Sequence, residues 1–233
     1  MSGPNRILAI GDIHGCSRAL ETLLRVVAPS TDDLIVTLGD YVDRGLDSAG
    51  VIECLLRLTA THHVVSLRGN HEEMMLDARR DREILQLWRE CGGEAALMSY
   101  APDKDDPTLG DVPGAHWRFL EGTCRDVYEM GDHFFVHGGV EDDVALDRQS
   151  PAILHWQKFP PQRPHVSGKR MICGHTPQHG GVPAVLPHAV CIDTGAGMDG
   201  WLTCLEVLTG YVWQANERGE VRESVLPAPR RRW

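Results

Sequence analysis

Five short polar clusters punctuate the chain, each bounded by glycine: Gly11-Asp12-Ile13-His14-Gly15, Gly39-Asp40-Tyr41-Val42-Asp43-Arg44-Gly45, Arg68-Gly69-Asn70-His71-Glu72, His137-Gly138-Gly139 and Gly174-His175-Thr176. Within them Asp12, His14, Asp40, Asn70, His137 and His175 offer carboxylate, amide and imidazole donors, and no thiolate. That set suits hard to borderline ions such as manganese, iron or zinc. Six side chains are too many for one catalytic tetrahedral ion that must keep an open position. They fit two ions that share one carboxylate, the arrangement that clamps the attacking and leaving oxygens of a displacement. Any one fragment alone reads as a turn or a helix cap. The series, each member following a strand, points to a metal centre.

The elements that must position these clusters are legible around them. Arg6 to Ile10, Leu34 to Leu38 and His63 to Leu67 read as buried strands. Ser17 is expected to cap a helix carrying Leu20, Leu23, Leu24 and Val27 at helical spacing. A second helix opens at Asp47-Ser48-Ala49-Gly50, and a third runs from Glu72 to Asp77. This β-α-β-α-β order predicts a sheet covered by helices. Strand character resumes at His133 to Val136, Arg170 to Cys173, Ala189 to Ile192, Trp201 to Val207 and Tyr211 to Gln214, the last pair forming a hairpin across Leu208-Thr209-Gly210. In open α/β sheets ligands sit beyond the carboxyl ends of strands, so the five turns are expected to converge on one pocket. Ser99 to His116, rich in Pro, Asp and Gly, reads as a loop insertion near that pocket. No repeat or linker interrupts residues 1–233, which are expected to form a single domain.

The formal net charge of −10 argues against bulk binding to nucleic acid or to an anionic membrane. An anionic substrate stays open, because metal charge can dominate a local site. No signal peptide and no apolar run of transmembrane length is visible, so the cytoplasm is the expected compartment. Seven cysteines, scattered and without a Cys-x-x-Cys pair, read as reduced, mostly buried thiols. The basic tail Arg230-Arg231-Arg232-Trp233 reads as a frayed terminus and not as a nucleic-acid arm.

Taken in order, Gly-Asp-Ile-His-Gly, Gly-Asp-Tyr-Val-Asp-Arg-Gly, Gly-Asn-His-Glu, His-Gly-Gly and Gly-His-Thr resemble the signature of the calcineurin-like metallophosphoesterases. Within them the closest resemblance is to the phosphoprotein phosphatase family, in its bacterial branch. The likeness runs from residue 7 to about 207, where Ile192-Asp193-Thr194-Gly195-Ala196 and the following strand match the close of such domains. It implies an α/β fold with a central β-sandwich of mixed sheets flanked by helices. It also implies two divalent ions, manganese first and iron or zinc as alternatives. Asp12 and His14 would hold the first ion, Asn70, His137 and His175 the second, and Asp40 would bridge them. A metal-bridging hydroxide would attack a phosphate monoester directly, with no phosphoenzyme. His71 would protonate the leaving oxygen, oriented by Asp43, while Arg44 and Arg68 gripped the phosphoryl oxygens. Chemically this is sound, since an imidazolium held by a carboxylate is a good general acid near neutral pH.

One departure concerns the segment Leu154-His155-Trp156-Gln157-Lys158-Phe159. Family members often carry a further phosphate-binding arginine there, and Lys158 takes its place, keeping the charge without the planar fork. His155 and His165 are not expected to be ligands. The implied activity is that of a serine/threonine, or dual-specificity, protein phosphatase acting on a phosphorylated protein or a small phosphoester. A symmetrical diadenosine tetraphosphate hydrolase is the rival inside the superfamily; those enzymes tend to carry alanine where this chain keeps Asp43. A catalytically inactive binding scaffold is the rival of another class, and it would be expected to have lost a ligand or the acid.

Overall fold

A computed structural model describes residues 3–227; the basic tail at 230–233 lies outside them. The strands are β1 (Ile7–Ile10), β2 (Leu34–Thr37), β3 (His63–Ser66), β4 (Val127–Met130), β5 (His133–Val136), β6 (Arg170–Cys173), β7 (Ala184–Val185), β8 (Ala189–Cys191), β9 (Leu202–Glu206), β10 (Tyr211–Ala215) and β11 (Val221–Val225). The helices are α1 (Ser17–Val27), α2 (Ser48–Thr59), α3 (Asn70–Asp77), α4 (Arg82–Trp88), α5 (Glu94–Tyr100), α6 (Gly114–Arg118) and α7 (Pro151–Trp156).

The strands form two mixed sheets, in the orders β11-β10-β9-β1-β2-β3 and β4-β5-β6-β8-β7. β1, β2 and β3 pair in parallel, as the sequence order required, and β9 joins β1 antiparallel. β5, β6 and β8 are parallel at the centre of the second sheet. Side chains alternate along a strand, and this alternation divides the core into layers. Ile7, Ala9, Leu34 and Val36 meet Phe135, Ile172 and Val190 between the sheets. Leu8, Ile10 and Ile35 face the other way, against α1 and α2. Phe134, Met171 and Cys173 turn outward under Leu146 and Leu154. Both central sheets are therefore covered on both faces, which explains their unbroken apolar strands.

Some local expectations shift. Ser17 is the first helical residue of α1 and not its cap; Cys16 occupies the cap position without a side-chain bond to the helix. In α2 the cap is Asp47, whose carboxylate accepts from Gly50 N at 2.9 Å. The segment expected as a loop from 99 to 116 begins in the last turn of α5, carries a short 3₁₀ turn at Leu109–Asp111 and enters α6 at Gly114. His116 anchors it: the buried imidazole lies 2.9 Å from Glu53 of α2 and 3.1 Å from the Tyr100 hydroxyl. All seven cysteines are free, and Cys91 alone is exposed.

Candidate metal centre and active site

Each cluster sits where a strand of one of the two sheets ends. Asp12 and His14 follow β1, Asp40 to Arg44 follow β2, Asn70 and His71 open α3 after β3, His137 follows β5 and His175 follows β6. The backbone there is forced out of ordinary geometry. Among the described residues seven non-glycine positions have positive φ, and His14, Asp40, Asp43, Arg44 and His175 are five of them. Such left-handed conformations cost roughly 1–2 kcal/mol each and persist where surrounding structure imposes them. The glycines allow the turns to press together: a Cβ at Gly174 would lie 2.0 Å from Asp12 Oδ1, and one at Gly69 2.1 Å from Asp40 Oδ1.

The turns are stitched by buried hydrogen bonds. Ile13 and His14 N–H both donate to the Asp40 carbonyl, at 2.9 and 2.8 Å. Glu72, fully buried, accepts from the N–H groups of Asp40, Gly69 and Tyr41 at 2.7, 2.9 and 2.7 Å. Burial and the nearby Asp40 charge push its carboxyl up to about 7. His175 N–H donates to the Asp12 carboxylate at 3.0 Å.

Asp40 lies between two groups of donors. Its Oδ2 is 3.4 Å from His14 Nε2, and its Oδ1 is 3.4 Å from His137 Nε2. Asn70 Oδ1 joins the second group, 3.0 Å from His137 Nε2 and 2.9 Å from His175 Nδ1. His71 Nε2 also turns inward, 4.0 Å from Asp40 Oδ2. The ligating atoms of His14, Asp40 and His71, and those of Asp40, His137 and His175, lie within 4.8 Å of one another in each group.

The residues fit metal ions chemically as well as spatially. A carbonyl can only accept, so the Nδ1 atoms of His14 and His137 must donate to Val42 O and Leu38 O, at 3.0 and 2.9 Å. In the same way His175 Nε2 donates to Trp156 O at 3.1 Å. Every one of these imidazoles therefore turns a lone pair, and not a proton, toward the cluster, as outer partners do in metal sites. Burial also holds them neutral: it lowers His14 to about 3 and His137 to about 4, and His175 moves down for the same first reason. Asp12 is pushed well above the carboxylate range by burial and by the charges of Asp193 and Asp40. Burial opposes ionisation of Asp40 too, but the charge and the backbone N–H of His71 counter it, and its pKa is held low. Buried carboxylates gathered around neutral imidazoles call for cations.

Next to the cluster, His71 Nδ1 is 2.6 Å from Asp43 Oδ2. Burial alone would lower His71, but the Asp40 charge and the Asp43 hydrogen bond and charge raise it overall. Asp43, completely buried, is pushed up to about 6 by desolvation. Its Oδ2 also accepts the indole N–H of Trp88 at 2.8 Å, while its Oδ1 has no partner among the described residues.

The expected phosphate-binding residues divide. Arg44 reaches the cluster: its guanidinium donates to His14 Nε2 at 2.8 Å and to His71 Nε2 at 3.0 Å. It is not paired with Asp43 or Asp47. Arg68 does not reach it. That guanidinium donates to the carbonyls of Leu120 and Glu121 at 3.1 and 3.0 Å and lies 3.9 Å from Asp126. Lys158 is exposed on the rim, near enough to His175 for its charge to help lower that imidazole. His155 sits between Glu73 and Asp126, 3.1 Å from each, and His165 bonds Ser167 and the Val144 carbonyl; neither faces the cluster. Trp88, Glu72 as a backbone clamp and the buried Asp193 were not singled out by sequence. Glu72 lay inside a quoted motif, but Trp88 is 45 positions from its partner and carried no spacing signal.

The sequence profile of the calcineurin-like phosphoesterases matches residues 5–201. The chain belongs to that family. Across 210 residues it is 40% identical to serine/threonine-protein phosphatase 1 of Salmonella typhimurium, covering 86% of this chain and 91% of that protein. It is 33% identical over 168 residues to the symmetrical bis(5'-nucleosyl)-tetraphosphatase of an Acidovorax species, spanning 66% of this chain but only 53% of the relative. Among solved structures, a cold-active protein-tyrosine phosphatase from a psychrophilic Shewanella superposes with a TM-score of 0.62 at 18% identity, covering 95% of this chain and 80% of that one. That likeness speaks for the fold alone. As a member of this family, with buried His/Asp groups suited to divalent ions, the chain is a metal-dependent phosphoesterase. No described helix is long and apolar enough to cross a membrane.

Proposed function

We propose that this calcineurin-like phosphoesterase is a phosphomonoesterase of the phosphoprotein phosphatase type, removing phosphate from serine or threonine, with dual specificity included. The observation that carries the reading is the 2.6 Å contact of Asp43 with His71 beside the Asp40-centred cluster. A monoester needs a proton delivered to a single alkoxide leaving group, and this pair is built to hold one there.

In this reading Asp12, His14 and Asp40 hold one divalent ion, and Asp40, Asn70, His137 and His175 hold the other. Such a pair would supply Lewis acidity and activate a water at neutral pH. Manganese is the proposed metal, with iron and zinc compatible with the same donors. The chain's own groups do the rest. As Arg44 turns its planar fork from His71 Nε2 to the phosphoryl oxygens, that nitrogen is freed to carry the proton it delivers to the leaving oxygen, while Asp43 keeps Nδ1 engaged. Lys158 adds charge from the rim. Arg68 would join only by leaving the Leu120 and Glu121 carbonyls. Residues 1–233 act as one domain, with 99–116 as the segment that shapes access, and the proposed site of action is the cytoplasm.

The test is a comparison of kcat/KM on phosphoserine, phosphothreonine and phosphotyrosine peptides, an aryl phosphate, mononucleotides and diadenosine tetraphosphate, with manganese and with chelator. The peptides should lead, and chelator should abolish turnover. A lead for diadenosine tetraphosphate would instead favour the second reading, which rests on the 33% identity to the Acidovorax tetraphosphatase. No metal-dependent turnover of any of them would favour the inactive scaffold.

A further inference from the structure

One side of α4 faces the catalytic pair, through Trp88. Around the helix from Trp88, a groove of about 630 Å³, bordered by Arg82, Leu85 and Arg89, is not used by the chemistry above. Arg79, Arg80, Arg82 and Arg89 line it, over a floor that includes Leu85 and Trp117. On a chain of net charge −10 the lining sets four arginines against two carboxylates, Asp81 and Asp106.

Its cations are only partly neutralised. Arg79 lies over the Trp117 ring, 4.2 Å from its centroid, and pairs with Glu121. Arg89 pairs with Glu94 at 2.6 Å and lies 3.7 Å from Asp106. Arg80 and Arg82 are exposed and have no carboxylate within ion-pair distance among the described residues. Of the two acidic residues in the lining, Asp81 is engaged in capping α4 through Glu83 N at 2.8 Å. Trp117 is the one aromatic in the lining and already carries Arg79, so the groove offers charge and not a stacking face.

We infer that this groove docks an acidic stretch of the substrate polypeptide, flanking the phosphorylated residue. The inference rests on the phosphatase reading above and deepens it. Continuity with the catalytic end supports it: the turn after Arg89 brings the Gly92 carbonyl to Arg44 N at 3.1 Å. The Asp106–Gly110 wall comes from the segment at 99–116, which gives that insertion a task. A helix is about 10 Å across and an extended peptide advances about 3.3 Å per residue. The acidic residues would therefore lie roughly three to five positions from the phosphoresidue. A small phosphate ester ends inside the cluster and cannot reach both sites, whereas a polypeptide can.

The test uses phosphothreonine peptides identical at the phosphorylated site, with a flank of aspartates, asparagines or lysines. The aspartate flank should raise kcat/KM roughly tenfold over asparagine, through KM, and the gain should fade with salt. The double variant Arg80→Ser, Arg82→Ser should lose the preference, and Arg82→Glu should turn it toward the lysine flank, while aryl phosphate turnover stays at the wild-type level in both. Equal rates on all flanks in the wild type, or a preference that survives the double variant, overturns the inference. So does weakened diadenosine tetraphosphate hydrolysis in the double variant with peptide turnover untouched. Fluorescence anisotropy of a labelled, unphosphorylated aspartate peptide reads the groove apart from catalysis. If aryl phosphate is not hydrolysed at all the phosphatase reading fails, and Arg80- and Arg82-dependent binding still decides the groove.

Discussion

Asp43 holds His71 through a single oxygen: Oδ2 lies 2.6 Å from His71 Nδ1, with His71 Nε2 left to face Arg44 and the Asp40 side of the cluster. One carboxylate oxygen thus fixes the orientation of the ring with Nδ1–H toward Asp43, so that a second proton is carried on Nε2. A group held in this way can protonate a leaving oxygen without taking part in metal binding.

His71→Asn should therefore lower kcat by two or more orders of magnitude, about the contribution of a positioned general acid. Metal content, read by elemental analysis, should stay at the wild-type level. Unchanged turnover would remove His71 from the acid role; lost metal would make it a ligand instead, as its proximity to His14 and Asp40 permits.

Asp40→Asn should behave in the opposite way. The two Asp40 oxygens face different donor groups, each 3.4 Å from an imidazole Nε2, and an amide cannot offer two anionic oxygens. Metal content should drop, and manganese should cease to raise the melting temperature by mass action. Retention of both ions would contradict a shared ligand at this position.

How far these relationships could be read in advance follows from their range along the chain. The β1 and β2 strands are nearly continuous apolar runs closed by glycine, and the turns after them and after β3 carry the candidate donors within a few positions, so the fold and the convergence of those donors were legible. The middle was not. α4 (Arg82–Trp88) and the half-exposed edge strands β4 and β11 have no clean period, because they cover or flank the sheets without filling them. Arg68 points away from the cluster for a related reason. Its position beside Gly69-Asn70-His71 suggested a phosphate contact, but its Nη2 donates to carbonyls some fifty residues away, an arrangement no local spacing encodes. Trp88 belongs to the same class, and its role appears only when α4 folds back over the turn after β2.

Trp88→Phe isolates that contribution. It removes the 2.8 Å indole donor from Asp43 while keeping a large ring in the core. A hydrogen bond to a buried charged group is worth roughly 1.5–3 kcal/mol, so kcat should fall about tenfold or more with KM and metal content unchanged. In an Asp43→Asn background the same change should add little, since the two act through one oxygen. Additive losses in that double variant would reduce Trp88 to a packing residue.

A last prediction concerns stability and pH behind the metal centre. His155 is buried between Glu73 and Asp126, 3.1 Å from each, and Glu73 also takes the Trp156 indole N–H at 2.8 Å. Desolvation alone would lower the imidazole, but the hydrogen bonds and charges of the two carboxylates raise it to about 9. Glu73 and Asp126 move down in return, first through the same hydrogen bonds. The fold therefore binds a proton more tightly than the unfolded chain, whose histidine titrates near 6.5. The stabilisation is fully present below about pH 6.5 and is lost as pH rises through about 9. The shift taken whole corresponds to roughly 3 kcal/mol, and because the Glu73 and Asp126 side chains are 32% and 42% exposed, about 1–2 kcal/mol should remain after solvent screening. Denaturant unfolding at a series of pH values should show this decline in the wild type, and His155→Gln should flatten it. A wild-type curve that is level between pH 6.5 and 9, or a His155→Gln curve parallel to it, would show that the buried imidazole is not charged.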